Sequence, residues 1–66
     1  MSDSLAEALP MEQKRCREVL GLYKLIPEGA FGALMIEQSL ERADKAVMSG
    51  DVIEILKSYE ELKGIS

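Results

Sequence analysis

The sequence predicts an all-α protein: a small antiparallel helical hairpin closed by a third helix into a three-helix bundle, expected to form a homodimer. Three observations carry this. Apolar residues recur every three or four positions along most of the chain, the spacing of one helix face. Strong turn chemistry occurs at two places, "IPEG" at 26–29 and "SGD" at 49–51. The length of 66 residues allows one domain.

The first helix is expected over 10–26. Pro10 suits a first helical position, where no N–H is required. Leu9, Cys16, Val19, Leu20 and Tyr23 share one arc, which makes the helix amphipathic. Met11, Arg15, Glu18, Leu22 and Leu25 form a second stripe, and Lys14, Arg17 and Lys24 face water. Residues 1–9 are expected to fray or to form a short turn. Pro27 disfavours helix at the residue before it, and Gly29 follows.

The second helix is expected over 30–49. Ala33, Ile36, Leu40, Ala43 and Val47 form its main stripe, with a heptad-like spacing. The small residues Gly29, Gly32, Ala33, Ala43 and Ala46 permit another helix to approach. Phe31, Met35, Gln38 and Arg42 make a second, mixed stripe. Leu34 and Met48 sit nearer the charged face of Glu37, Glu41, Asp44 and Lys45. Gly50 suits the left-handed position after the helix, and Asp51 suits the cap of the next.

The third helix is expected over 52–63. Asp51 and Glu54 have the spacing of an Asp capping box. Val52, Ile55, Leu56, Tyr59 and Leu62 form the expected buried arc, and Glu54, Lys57, Ser58 and Glu61 the wet face. Gly64 ends the helix. The stretch "RADKAVMSGDVIEILKSYEEL" resembles the helix–turn–helix junction of a tetratricopeptide repeat. It covers less than one unit, so the likeness implies hairpin geometry and not a solenoid.

A domain of this length buries only about 60% of its unfolded surface. Its one cysteine closes no intramolecular disulfide, and with no histidine it has no Cys/His set for structural zinc. Stability must come from helix packing or oligomerisation. Hydrophobic residues make up 47% of the chain, a surplus that a dimer would use. The net charge of −4 and a pI near 4.7 disfavour nucleic acid and anionic membranes as ligands. The polar start "MSDSLAEALP" has no signal-peptide pattern, and no apolar run approaches the ~18 residues of a membrane span. A lone cysteine and no export signal make the cytoplasm the expected location.

The residues argue against an enzyme. The usual general base, histidine, is missing. "EGAFGA" is not a phosphate loop, because no Gly-Lys-Ser/Thr follows. Cys16 could act as a nucleophile, but its place in the core stripe marks it as buried packing. Glu37, Glu41 and Asp44 could meet a cation, but they read as a solvated face. No catalytic, cofactor or metal site is expected. Lys14, Arg15 and Arg17 leave a nucleic-acid-binding regulator as a minor alternative.

Large apolar residues outside the core arcs are the informative feature. Met11, Leu22, Leu25, Phe31, Leu34 and Met35 are the candidate partner-binding residues. Methionine suits such surfaces because it is flexible and polarizable. Gly29 and Gly32 flank Phe31 and leave the backbone free to present it. The alternative is a wider core with Phe31 folded over the end of the bundle.

Residues 15–20 (Arg-Cys-Arg-Glu-x-Leu), 29–36 (Gly-Ala-Phe-Gly-Ala-x-Met-Ile) and 49–64 (Ser-Gly-Asp-Val through Tyr-Glu-x-Leu-Lys-Gly) resemble a group of short proteins from Mu-like transposable phages and prophages. The likeness spans about four-fifths of the chain. In size, helical character and lack of catalytic groups the chain also resembles the anti-quorum-sensing kind found in Pseudomonas phages. The resemblance implies a non-catalytic inhibitor that binds a host protein, such as the quorum-sensing activator LasR or the pilus ATPase PilB. It implies an apolar patch with an acidic rim, drawn from Glu37, Glu41, Asp44, Glu60 and Glu61. A self-assembling structural or adaptor subunit is the rival expectation.

Overall fold

The structure is a computed structural model describing residues 4–66. Three helices, α1 (Leu5–Lys24), α2 (Ala30–Ser49) and α3 (Val52–Lys63), pack pairwise, with a single 3-10 turn at Pro27–Gly29 between the first two. This is the expected all-α bundle. Among the described residues no helix is long and apolar enough to cross a membrane.

The first helix begins five residues earlier than expected. Leu9 is buried, and Leu5 and Ala8 are partly buried, so this turn belongs to the bundle. Residues 1–3 of the expected frayed segment lie outside the described residues. Pro10 is therefore the sixth residue of α1, not its first. It forgoes one intrahelical hydrogen bond, at an exposed position where water can reach the freed carbonyl. At the other end α1 stops at Lys24 rather than residue 26. Pro27 holds Ile26 extended (φ −104, ψ 125), as its ring requires of the residue before it.

Two tight fits fix the α1–α2 corner. A Cβ on Gly29 would lie 2.2 Å from the Tyr23 carbonyl oxygen, and one on Gly32 would lie 2.6 Å from the Tyr23 ring. These glycines serve the close approach of Tyr23, not the presentation of Phe31. The α2–α3 corner is Gly50 in the left-handed region (φ 71) followed by Asp51. The Asp51 carboxylate accepts from the Ile53 N–H at 2.9 Å. The return half of the expected capping box is absent. Asp51 N–H donates instead to Ser49 Oγ at 3.1 Å, and Glu54 pairs with Lys57.

The core comprises Leu9, Cys16, Ile36, Leu40, Ala43 and Leu62, with Val19, Leu20, Tyr23, Ile55, Tyr59 and Ile65 packed against it. Leu9, Cys16, Leu20 and Tyr23 follow a 4-3 repeat whose missing member is Gln13, a buried polar residue. Gln13 donates to Asp44 Oδ1 at 3.0 Å. Lys24 and Glu37 (3.1 Å) pair across the same two helices, which fixes their antiparallel register.

The third helix sits rotated from its expected orientation. Ser58 and Leu62 are buried, whereas Val52 and Leu56 are exposed. The small residues Ser39, Ala46 and Ser58 face the α2–α3 contact and let those helices close. That choice turns Val47 outward as well, at 50% exposure. Glu61, expected in water, is partly buried and accepts from Ser39 Oγ (2.9 Å) and from the Arg42 guanidinium.

Candidate functional site

The third helix has 12 residues against 20 in each of its neighbours. Its end is held beside the middle of α1. Arg15 donates to the carbonyls of Leu62 and Ile65, both at 2.8 Å, while Glu12 orients the guanidinium through bonds of 3.0 and 2.8 Å. The Cys16 thiol donates to the same Leu62 carbonyl at 3.4 Å. Beyond this point the α1–α2 hairpin continues for about 13 Å, at 1.5 Å per residue from Arg15 to Lys24, covered in part by residues 64–66 instead of by a third helix.

The result is a shallow trough in line with α3. Tyr23, Gly32, Met35 and Ile36 line it, with residues 64–66 at its base, around a space of about 290 Å³. Tyr23 is its anchor: the ring covers Gly32 and the hydroxyl donates to the Ser66 carbonyl at 2.9 Å. Helical register extends the walls. Leu22 lies two turns above Arg15 on the face that meets α3. Phe31 and Met35 continue the stripe of Ser39 and Arg42, the two α2 residues that bind Glu61.

The six residues singled out in the sequence are all exposed, and they divide into three places. Met35 lines the trough, and Leu22, Leu25 and Phe31 are exposed near the same α1–α2 end, Phe31 and Leu25 at 73% and 79%. Phe31 does not fold over the bundle. Leu34 lies on the opposite side of the hairpin, in a groove with Ile26, Pro27, Ala30 and Lys24. Met11 lies in the α1–α3 seam, beside Ala8, Glu12 and Tyr59. The trough thus keeps Met35 of the six, beside Tyr23, Gly32 and Ile65, which the sequence did not single out as a site. Their signal is the mismatch in helix length, visible only once the hairpin register is known.

The expected acidic rim is largely engaged within the fold. Glu37 pairs with Lys24, Asp44 with Gln13 and Arg17, and Glu61 with Arg42. Arg42 and the Ser39 hydroxyl hold the Glu61 carboxyl below its ordinary value, against the opposing effect of burial. Arg15 is likewise engaged by α3, so the basic cluster with Lys14 and Arg17 loses its central member.

Cys16 has no exposed surface, and burial pushes its thiol up from the ordinary value. A protonated, enclosed thiol is packing, not a nucleophile. Among the described residues no set of three or more Cys, Asp or Glu is grouped to hold a metal ion. A groove of about 470 Å³ between α2 and α3 is lined by Arg42, Lys45, Glu54, Lys57 and Glu61, four of which neutralise one another in pairs.

A second apolar surface lies at the opposite end. Met48 before the α2–α3 turn and Val52, Ile53 and Leu56 after it are all exposed. Comparison with family models, curated proteins and solved structures finds no match to this chain.

Proposed function

We propose that the protein is a non-catalytic binding module of the phage-inhibitor type, which holds a segment of a host protein in the trough above α3. The observation that supports this reading is the exposure of Leu22, Phe31 and Met35 along the seat that α3 itself uses lower down. Contiguous apolar surface of this kind is characteristic of interfaces. Inhibition is then stoichiometric: the bound host segment is withheld from its own partner. The resemblance to small proteins of Mu-like phages names LasR and PilB as the first host proteins to try, in the bacterial cytoplasm.

The test is titration calorimetry of the purified chain against purified LasR and purified PilB. A saturable complex with either, lost on Met35→Asp, supports the reading. Absence of binding to both removes these two targets. Binding that survives Met35→Asp removes the trough.

Self-association is the second reading, supported by the second apolar surface. Pairing of two copies through Val52, Ile53 and Leu56 leaves the trough open. Sedimentation equilibrium decides it, with Ile53→Asp expected to convert dimer to monomer. A chain that is monomeric throughout rules the dimer out.

A further inference from the structure

The groove between α2 and α3, away from the trough, gathers donors that the fold itself leaves unused. We propose that it binds a small phosphomonoester, whose phosphate is held by Lys45 from α2 and by Lys57 and Ser58 from α3.

The charge of the groove differs from that of the chain. Arg42, Lys45 and Lys57 line it against Glu54 and Glu61, a surplus of one positive charge where the whole chain carries −4. Glu61 is already met by Arg42 and by the Ser39 hydroxyl. Lys57 meets Glu54 at 3.6 Å, in an exposed pair three residues apart on one helix. Such a pair contributes little, so an anion can draw Lys57 away from it. Lys45 forms no ion pair among the described residues. Glu41, one turn before it on α2, does not line the groove.

Ser58 is the second, independent observation. It lines the groove and is 5% exposed. Its hydroxyl forms no hydrogen bond among the described residues, yet none of their fully enclosed side-chain polar atoms lacks a partner. The access left to this hydroxyl is therefore through the groove. A nearly buried hydroxyl without a partner costs stability until something accepts from it. Ser49 is different: it donates to the Ala46 carbonyl at 2.7 Å and accepts from the Asp51 N–H at 3.1 Å.

Two ammonium groups and a hydroxyl suit the three outer oxygens of a phosphate ester better than the two of a carboxylate. The space of about 470 Å³ falls within the roughly 300–1,000 Å³ of small-molecule sites. Ala46 and the alkyl stems of Arg42 and Lys45 give the organic part of the ester an apolar wall.

The experiment titrates the full chain with phenyl phosphate, inorganic phosphate and benzoate at constant ionic strength, read by amide NMR shifts. Phenyl phosphate is expected to saturate, with shifts centred on residues 45, 57 and 58, and to bind about tenfold tighter than benzoate. It also binds tighter than inorganic phosphate. Lys45→Ala and Ser58→Ala are each expected to weaken it by about tenfold, Ser58→Ala without loss of melting temperature, because that hydroxyl bonds to nothing in the fold. Lys14→Ala, an exposed cation on α1, leaves the affinity unchanged. Equal affinity for phenyl phosphate and inorganic phosphate overturns the ester assignment. Shifts that never saturate, or equal weakening in Lys14→Ala, reduce the binding to general charge attraction and overturn the site.

Discussion

Arg15 donates to the Leu62 carbonyl at 2.8 Å, and this contact sets where the third helix ends against the first. The same guanidinium reaches Ile65 two positions after the helix. One side chain thereby closes the lower bundle and defines the base of the trough above it.

Replacing that side chain loosens the base without unmaking the hairpin. Arg15→Met removes the guanidinium donor from the Leu62 and Ile65 carbonyls, leaving Leu62 its bonds from Cys16 and the Ile65 N–H, and keeps an apolar stem against the core. Hydrogen exchange at the Gly64 and Ile65 amides, which bond to Glu61 and Leu62, is expected to quicken by about tenfold as local opening becomes easier. Exchange in the middle of α2 stays as in the parent. Uniform acceleration across all three helices would show that the contact supports global rather than local stability.

Gly29 and Gly21 make opposite predictions for the same substitution. Gly29→Ala drives a methyl into the Tyr23 carbonyl and is expected to destabilise by about 1–3 kcal/mol, the usual cost of overpacking. Gly21 is exposed inside α1 with nothing near its Cβ direction, so Gly21→Ala is expected to stabilise by about 0.5–1 kcal/mol. Urea denaturation of both variants checks the pair. Equal effects would mean that the α1–α2 corner is not close-packed around Tyr23.

Acid weakens the α2–α3 contact through Glu61. Its carboxyl is held below the ordinary value of 4.5 by Arg42 first, with the Ser39 hydroxyl adding to the effect. A depressed carboxylate contributes stability that is complete above its unfolded value and is lost as pH falls from there through the folded value. Melting temperature is therefore expected to drop as pH falls below 4.5, less steeply in Glu61→Gln. Identical pH profiles in the two proteins would remove Glu61 from the acid transition.

Cys16 gives the alkaline counterpart. Burial raises its thiol above the ordinary value of 9.0. The native state then keeps its proton where the unfolded chain has lost it, so stability is present below pH 9.0 and falls as pH rises through the folded value. Cys16→Ala is expected to flatten that alkaline loss, and native Cys16 is expected to react with thiol reagents only through opening. Labelling at the rate of a free thiol would contradict its enclosure.

Helix number and turns were readable from local chemistry: Pro27 after Ile26, and Gly50 before Asp51, act within a few residues. Helix orientation was not, because it depends on which stripe packs closest. Val52, Leu56 and Val47 looked like core by hydropathy, yet small Ser58 and Ala46 won the contact by letting the helices approach. Gln13 was hidden by its polarity, although it occupies the seam position between Leu9 and Cys16. Pro10 looked like a helix start because proline is best tolerated there, but burial of Leu9 extended the helix past it. Five of the six candidate interface residues stand at the α1–α2 end of the hairpin, Leu34 on its other side, and Met11 separates into the α1–α3 seam.

The most direct measurement compares three single substitutions in host-protein binding. With purified LasR and purified PilB as probes, the affinities of Met35→Asp, Leu34→Asp and Met11→Asp are measured by titration calorimetry, with circular dichroism confirming helix content. The trough predicts a loss of about tenfold or more (about 1.4 kcal/mol) for Met35→Asp alone, the other two staying within about twofold of the parent. Equal losses at Leu34 or Met11, or none at Met35, would contradict it and move the binding surface elsewhere on the bundle.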